Sequence, residues 1–231
     1  MKRSKGKKNL YINKYNIDKH LNDGLASLTH FLHSQDDSNS EIIKQNAIIP
    51  FECITRAERL NDEILQLLKE IGCFRIWIGA ESGSQKIIDL MDRRVDINHV
   101  KKMIQDTNAI GIETGTFVMV GYPEETIEDI DKTIQYLKEA KPTQYTITIA
   151  YPIKGTSLYN EIEDKITIQP EWESSTDREI DFKRTYSKKF YKYAVSKLVN
   201  EVEASRSNSY LNKIKHKIKS ITASGLMKIY N

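Results

Sequence analysis

Cysteine is almost missing from this chain. Only Cys53 and Cys73 are present among 231 residues. Structural zinc takes four ligands and a cubane iron–sulfur cluster at least three thiolates, so two cysteines cannot hold either alone. The plain reading is two thiols kept reduced inside a cytoplasmic protein. Long apolar runs are also missing. No stretch approaches the roughly 20 residues that cross a bilayer, and the lysine-rich N-terminus has no apolar segment behind it, which excludes a secretory signal. A strong charge of one sign is absent as well. Thirty-five basic residues against 32 acidic ones leave a net charge of +3, so nothing in the balance calls for a nucleic-acid partner.

What is present is a chain of 39% apolar residues, enough for one domain with an appendage. Residues 1–47 are taken as a divergent helical segment, with apolar spacing at Ile17, Leu21, Leu25, Leu28 and Leu32 and a second short helix capped by Ser40. His30 and His33 stand three residues apart near Asp36 and Asp37; ordinary surface polarity explains them better than a metal.

From residue 48 the texture becomes regular. FECIT, CFRIWIGA, IETGTFVMVG and QYTITIAYP read as strands. Between them lie amphipathic helices over NDEILQLLKEIG, SQKIIDLM, DINHVKKMIQDTNAIG and EETIEDIDKTIQYLKEA. Asn61 and Asp96 stand as N-caps and Gly72 and Gly111 as terminators. Strands separated by helices of this length imply crossovers in a parallel sheet. Four strands are too few for a closed eight-stranded barrel, so the expected fold is α/β, a partial (β/α) barrel over residues 48–165. Residues 166–231 form the expected helical extension, with one long helix across TDREIDFKRTYSKKFYKYAVSKLVNEVEAS and aromatics at Phe182, Tyr186, Phe190 and Tyr193. Its tail, LNKIKHKIKSITASGLMKIY, is basic with an apolar stripe. A solvated or loosely docked helix is the favoured reading of the tail, and contact with an anionic membrane surface the less favoured one.

Ligands of parallel α/β sheets sit beyond the carboxyl ends of the strands. Those positions hold Arg56 after the first strand, Glu81 and Ser82 after the second, Gly121, Tyr122 and Pro123 after the third, and Tyr151, Pro152 and Ile153 after the fourth. A carboxylate accepts from an ammonium or a ribose hydroxyl, Ser82 and Ser84 donate to a carboxylate, Gly121 admits a flat ring, and Tyr122 or Tyr151 stacks on it. Each segment alone also reads as ordinary turn chemistry. AESGS is then a strand-to-helix turn with Ser84 as N-cap, and GYPEE a turn followed by helix N-terminal acids.

Taken in order, CITRAERL, GCFRIWIGAESGSQKIIDLMDRRV, GIETGTFVMVGYPEETIEDI and TITIAYPIKGTSLY resemble the later strands of the radical S-adenosylmethionine (radical SAM) core. The closest subgroup is the cobalamin-binding one, with the anaerobic Mg-protoporphyrin cyclase and radical SAM methyltransferases. The resemblance covers about residues 48–200. It implies a partial (β/α)6 barrel and reductive cleavage of S-adenosylmethionine to a 5′-deoxyadenosyl radical, used for methyl transfer or cyclisation on an unidentified small organic substrate. By the same resemblance Glu81 and Ser82 contact the ribose or methionine part. Gly121, Tyr122 and Pro123 line the adenine, Tyr151, Pro152 and Ile153 contact it from the last strand, and Arg56 lies at the pocket edge.

The departure is as plain as the likeness. The family's CxxxCxxC loop is absent, so a [4Fe–4S] cluster has no ligand set here, and the cobalamin domain of relatives is absent too. The expectation is a truncated family protein with no catalytic residue or metal ligand of its own. It keeps the nucleoside-binding half of the site, and either the reading frame is a fragment of a longer gene or the missing N-terminal half is a separate chain. The alternative is a non-catalytic binding module or a degenerate remnant.

Overall fold

The computed structural model describes residues 50–168, 176 and 179–231. The two N-terminal helices and the His30–Asp37 group expected from the sequence lie outside them. Residues from Pro50 to Asn231 form one compact unit. Its centre is a parallel sheet in the order β1 (Phe51–Thr55), β2 (Cys73–Glu81), β3 (Glu113–Val120) and β4 (Gln144–Ile149). Helices α1 (Asp62–Glu70), α2 (Gln85–Leu90), α3 (Ile97–Ala109) and α4 (Ile127–Ala140) fill the crossovers. This is the partial (β/α) barrel anticipated above.

Alternation along each strand decides which face goes where. Ile76, Ile78 and Ala80 of β2 and Thr114, Thr116, Val118 and Val120 of β3 are buried beneath the helices. Each large aliphatic chain buried there contributes roughly 2 kcal/mol. The buried threonines keep their hydroxyls paired: Thr116 donates to the Ile78 carbonyl at 2.8 Å, and Thr114 to Asn108 Oδ1 at 2.8 Å. The opposite face, which a barrel turns inward, carries Glu52, Arg75 and Glu113 in one layer. Arg75 donates to Glu113 Oε2 and, at 3.0 Å, to Glu52 Oε2. One layer up, Trp77 stacks on Phe117 with centroids 5.0 Å apart and donates its indole N–H to Glu52. A Cβ on Gly115 would lie 2.3 Å from the indole, so glycine is what lets Trp77 lie flat on the sheet. Half-exposed ion pairs such as Arg75–Glu113 contribute at most about 1 kcal/mol, so the helix-side burial fixes the sheet and the ion pairs follow it.

Beyond β4 come α5 (Ser157–Ile162), a two-stranded antiparallel pair of β5 (Ile166–Ile168) and β6 (Asp181–Phe182), and then α6 (Lys188–Arg206) and α7 (Tyr210–Ile229). The single long helix expected from Thr176 begins only at Lys188. Phe182 is buried on β6, and Arg184 stacks on its ring at 4.1 Å while donating to Asp181 and to the Ala150 carbonyl. Those contacts hold the segment extended until Ser187 caps the helix, its hydroxyl accepting from Phe190 N. Tyr186 stands before the cap and stacks on Phe190 at 4.1 Å. The basic tail is a regular helix docked on α6. Tyr193 stacks on Tyr230, Ser187 donates to the Tyr230 carbonyl, and Lys217 pairs with Glu201.

Two glycine replacements separate these packing arguments. A Cβ on Gly83 would sit 2.5 Å from Thr133 Cα and 2.7 Å from the Lys132 carbonyl, backbone atoms that cannot step aside. Gly83→Ala is expected to lower urea stability by roughly 2–3 kcal/mol. Gly225 lies in α7 with open space around it, and Gly225→Ala is expected to raise stability by about 0.5–1 kcal/mol.

Candidate functional site at the carboxyl rim of the sheet

The parallel register brings the strand ends together. Thr55 pairs with Ile78, Glu81 with Val118, and Val120 with Ile149, and Ala150 N donates to the Val120 carbonyl at 2.8 Å. Glu81, Gly121–Pro123 and Tyr151–Ile153 therefore follow neighbouring strands on one rim, with Arg56 at its β1 end.

Glu81 is the most unusual residue there. The ladder slips between Gly79 and Glu81, and Glu81 takes a φ of 61°, a left-handed conformation that costs a non-glycine residue about 1 kcal/mol or more. Its carboxylate folds back over Gly79, where an added Cβ would meet Oε1 at 2.9 Å. Arg93 stands 3.5 Å from the same oxygen. Burial pushes the Glu81 carboxyl up, and the Arg93 guanidinium pulls against it. Arg56 joins the group by donating to Glu58 and, at 2.9 Å, to the Arg93 carbonyl. Arg93 escaped the sequence reading. It sits in the quoted DRRV run, but no local spacing announces that the loop after α2 folds back to Glu81.

Ser82 and Ser84 face inward. Ser82 is fully buried, its hydroxyl 3.2 Å from Thr133 Oγ1, and Gly83 N donates to that same Thr133 oxygen. Ser84 stands at the N-cap position of α2, yet its hydroxyl donates to Asp129 Oδ1 at 2.7 Å instead of capping the helix. Asp129 also accepts from Lys86 and from Thr126, with which it forms a capping box at the start of α4. Despite burial, these donors hold the Asp129 carboxyl at about 2.

Gly121 has a φ of 84°, and its Cα faces the ring of Tyr191 from α6, 3.4 Å from where a Cβ would stand. Its N–H donates to Glu125 Oε2 at 2.5 Å. Glu125 is fully buried and its other oxygen has no partner among the described residues. Burial drives its carboxyl up to about 7 against the pull of the Gly121 N–H. The neighbouring Tyr191 hydroxyl is pushed up to about 12, by burial first and then by the Glu125 charge. Tyr122 reaches across to the Leu90 carbonyl at 3.3 Å, and Pro123 is half-buried. Pro152 is buried, Tyr151 half-buried and Ile153 exposed. Nothing in the sequence linked Tyr191 to this rim, because the helix carrying it returns from 70 residues downstream; Glu125 stands in the GYPEE segment at the rim but reads there as a helix N-terminal acid, not as a buried carboxyl.

The cysteines lie elsewhere. Cys53 is inside β1 and Cys73 begins β2, and both side chains are on the helix-covered side of the sheet. Hydrogen bonding to Cys73 and then burial push the Cys53 thiol up, while Cys73 donates to the Arg75 carbonyl at 3.4 Å. Among the described residues no three histidine, cysteine or acidic side chains gather as a metal site.

The model of the radical SAM superfamily matches residues 24–137. The chain belongs to the radical SAM superfamily. This radical SAM protein is 26% identical over 137 residues to an uncharacterised methyltransferase of Pyrococcus horikoshii, covering 58% of this chain and 30% of the relative. It is 26% identical over 130 residues to the anaerobic magnesium-protoporphyrin IX monomethyl ester cyclase of Rubrivivax gelatinosus, covering 55% and 23%. It spans less than a third of the length of either relative. The radical SAM methyltransferase TsrM of Kitasatospora setae, solved with cobalamin and a [4Fe–4S] cluster, shares its fold at a TM-score of 0.50 and 15% identity, over 64% of this chain and 27% of TsrM. The family match begins inside the N-terminal stretch that the sequence reading had aligned with nothing, and it takes in residues 24–49.

Glu125 and Asp129 titrate in opposite senses. An unfolded glutamate ionises near 4.5, and folded Glu125 keeps its proton to about 7. Between those values the native state holds a proton that the unfolded chain has released, so stability falls as pH rises. Unfolding from pH 5 to pH 8 is expected to show a loss of up to about 3 kcal/mol from Glu125, and the loss is expected to shrink in Glu125→Gln, leaving the smaller share of the raised Glu81 carboxyl. Asp129 acts the other way, losing its contribution only as pH drops from about 4 toward 2.

Proposed function

We propose that this chain supplies the nucleoside-holding part of a radical SAM site. S-adenosylmethionine lies along the carboxyl rim, with Glu81 accepting from its ribose hydroxyls or ammonium. Tyr122, Pro123, Tyr151 and Ile153 are the surfaces for its adenine, and Gly121, Pro152 and Arg56 hold those surfaces in place. The observation that carries this reading is Glu81: a strained, left-handed carboxylate, restrained by Arg93, at the one edge where three loops converge. Strain of that kind persists where a function needs it. Ser82 contributes by fixing the loop, its hydroxyl being committed to Thr133.

In the family, S-adenosylmethionine is cleaved reductively at a [4Fe–4S] cluster. The residues of this chain do not fit that cluster. Its two thiols are not on the rim: Cys53 lies inside β1 and Cys73 at the start of β2, the first raised by hydrogen bonding to Cys73 and then by burial, the second donating to a backbone carbonyl. We assign cluster ligands to a second polypeptide segment and derive no step through the cluster from these residues. Methyl transfer or cyclisation of a small organic substrate, with cobalamin as in some relatives, belongs to that assembly, in a cytoplasm reducing enough to leave Cys53 and Cys73 as thiols.

A second reading has its own support. Tyr191 covers the Cα of Gly121 and Glu125 takes its N–H, so the glycine expected to admit an adenine ring is already in contact. That favours a non-catalytic module built on the same rim.

Calorimetry with S-adenosylmethionine separates the two. Binding that weakens at least about tenfold in Glu81→Ala supports the rim site; no heat from the folded wild-type chain supports the module. Anaerobic reconstitution with iron and sulfide is expected to leave the chain without the broad thiolate-to-iron absorption. Incorporation of about four irons per chain would overturn the assignment of cluster ligands elsewhere.

A further inference from the structure

A helix docked on one neighbour needs one apolar stripe, and α7 has two. The first settles its rotation. Ser220, Ala223 and Met227 are buried against α6, and on the same side His216 Nδ1 lies 2.9 Å from Asn200 Oδ1 and Ser220 donates to Glu201 at 2.8 Å. At 3.6 residues per turn, Leu211, Ile214, Ile218, Ile221 and Ile229 then fall within an arc of about 80° on the opposite side, with Gly225 among them. They are bare: Leu211 is 76% exposed, Ile218 59%, Ile221 70% and Ile229 72%. One exposed leucine needs no explanation, but five branched aliphatic residues in line are a surface that water does not favour.

Charge identifies the occupant. From Tyr210 to Asn231 there are five lysines and no aspartate or glutamate. Lys215 and Lys219 border one side of the stripe, and Lys213, Lys217 and Lys228 the other. Lys217 is paired with Glu201, while Lys213, Lys215, Lys219 and Lys228 have no acidic partner among the described residues. A second copy meeting this stripe would set lysines against lysines along both borders, with no carboxylate on either helix to relieve them. A nucleic acid would satisfy the lysines and leave the aliphatic side chains in water. A phospholipid surface with anionic headgroups satisfies both, since the acyl boundary takes the stripe and the phosphates take the lysines. No described helix is long and apolar enough to cross a membrane, so the contact is in-plane.

We propose that α7 seats this chain on anionic phospholipid membranes, with the Leu211–Ile229 stripe inserted and the bordering lysines on the headgroups. This stands on α7 alone and is independent of the rim site.

The test is flotation of the full chain with vesicles of phosphatidylcholine alone or mixed with phosphatidylglycerol. The wild-type protein is expected to float with the mixed vesicles, not the neutral ones, and to be released by high salt. Two variants are carried beside it, Ile218→Asp with Ile221→Asp, and the four unpaired lysines changed to glutamine, each checked for native helicity by circular dichroism. Each is expected to lose at least about tenfold in vesicle partitioning. The proposal is overturned if wild-type protein ignores the mixed vesicles, binds neutral vesicles equally well, or keeps its binding in the folded isoleucine variant. A dimer in sedimentation velocity that the isoleucine variant dissociates, without vesicle binding, or retention by RNA in place of vesicles, would overturn it as well. Should the isoleucine variant unfold, the lysine variant and the salt series decide the matter alone.

Discussion

Asp129 is the point on which this architecture turns. Its carboxylate gathers the Ser84 hydroxyl from the loop after β2, the backbone and hydroxyl of Thr126 at the start of α4, and the Lys86 ammonium. A charge almost free of solvent is tolerable only when its oxygens are this fully engaged. In return the two loops that bound the centre of the rim become one piece. Gly83 and Thr133 complete the joint by bringing backbone to within van der Waals contact, which leaves no room for a side chain. The ordered position of Glu81 and of the Gly121 turn both follow from that joint, because each sits within a few residues of it.

The sheet and its crossovers were readable in the chain because period two and period 3.6 leave different marks, and Asn61 and Asp96 cap the helices that their spacing suggested. The placing of strand ends on one rim was readable for the same reason, since parallel order follows from the crossovers. What could not be read is the direction in which short polar side chains turn. Ser82 looks like a ligand donor in the sequence and is a buried strut in the fold. Ser84 looks like a cap and is a rivet on Asp129. Phe182 and Tyr186 fit a helical aromatic spacing, yet Arg184 draws the chain toward β4 and delays the helix. In each case a tertiary partner overrides a local preference, and local patterns carry no information about such partners.

The C-terminal hairpin changes the character of the rim. Tyr191 of α6 closes over Gly121, and the buried Glu125, which takes the Gly121 N–H, has one oxygen without a partner among the described residues, so part of the wall is made by a residue far from the strand ends. The chemistry of this edge thus belongs jointly to the barrel loops and to the returning helix. A reading confined to the family's motif blocks sees only the first of these.

Trp77 gives the inner face of the sheet a voice of its own. The chain has two tryptophans, and this one lies flat over Gly115 against Phe117 with its indole tied to Glu52. Its emission depends on whatever polarity the sheet's inner surface meets. A chain stripped of its other indole would carry a single tryptophan in the middle of the barrel wall, excitable apart from its twelve tyrosines and able to register the arrival of a second polypeptide or an organic guest without any added dye.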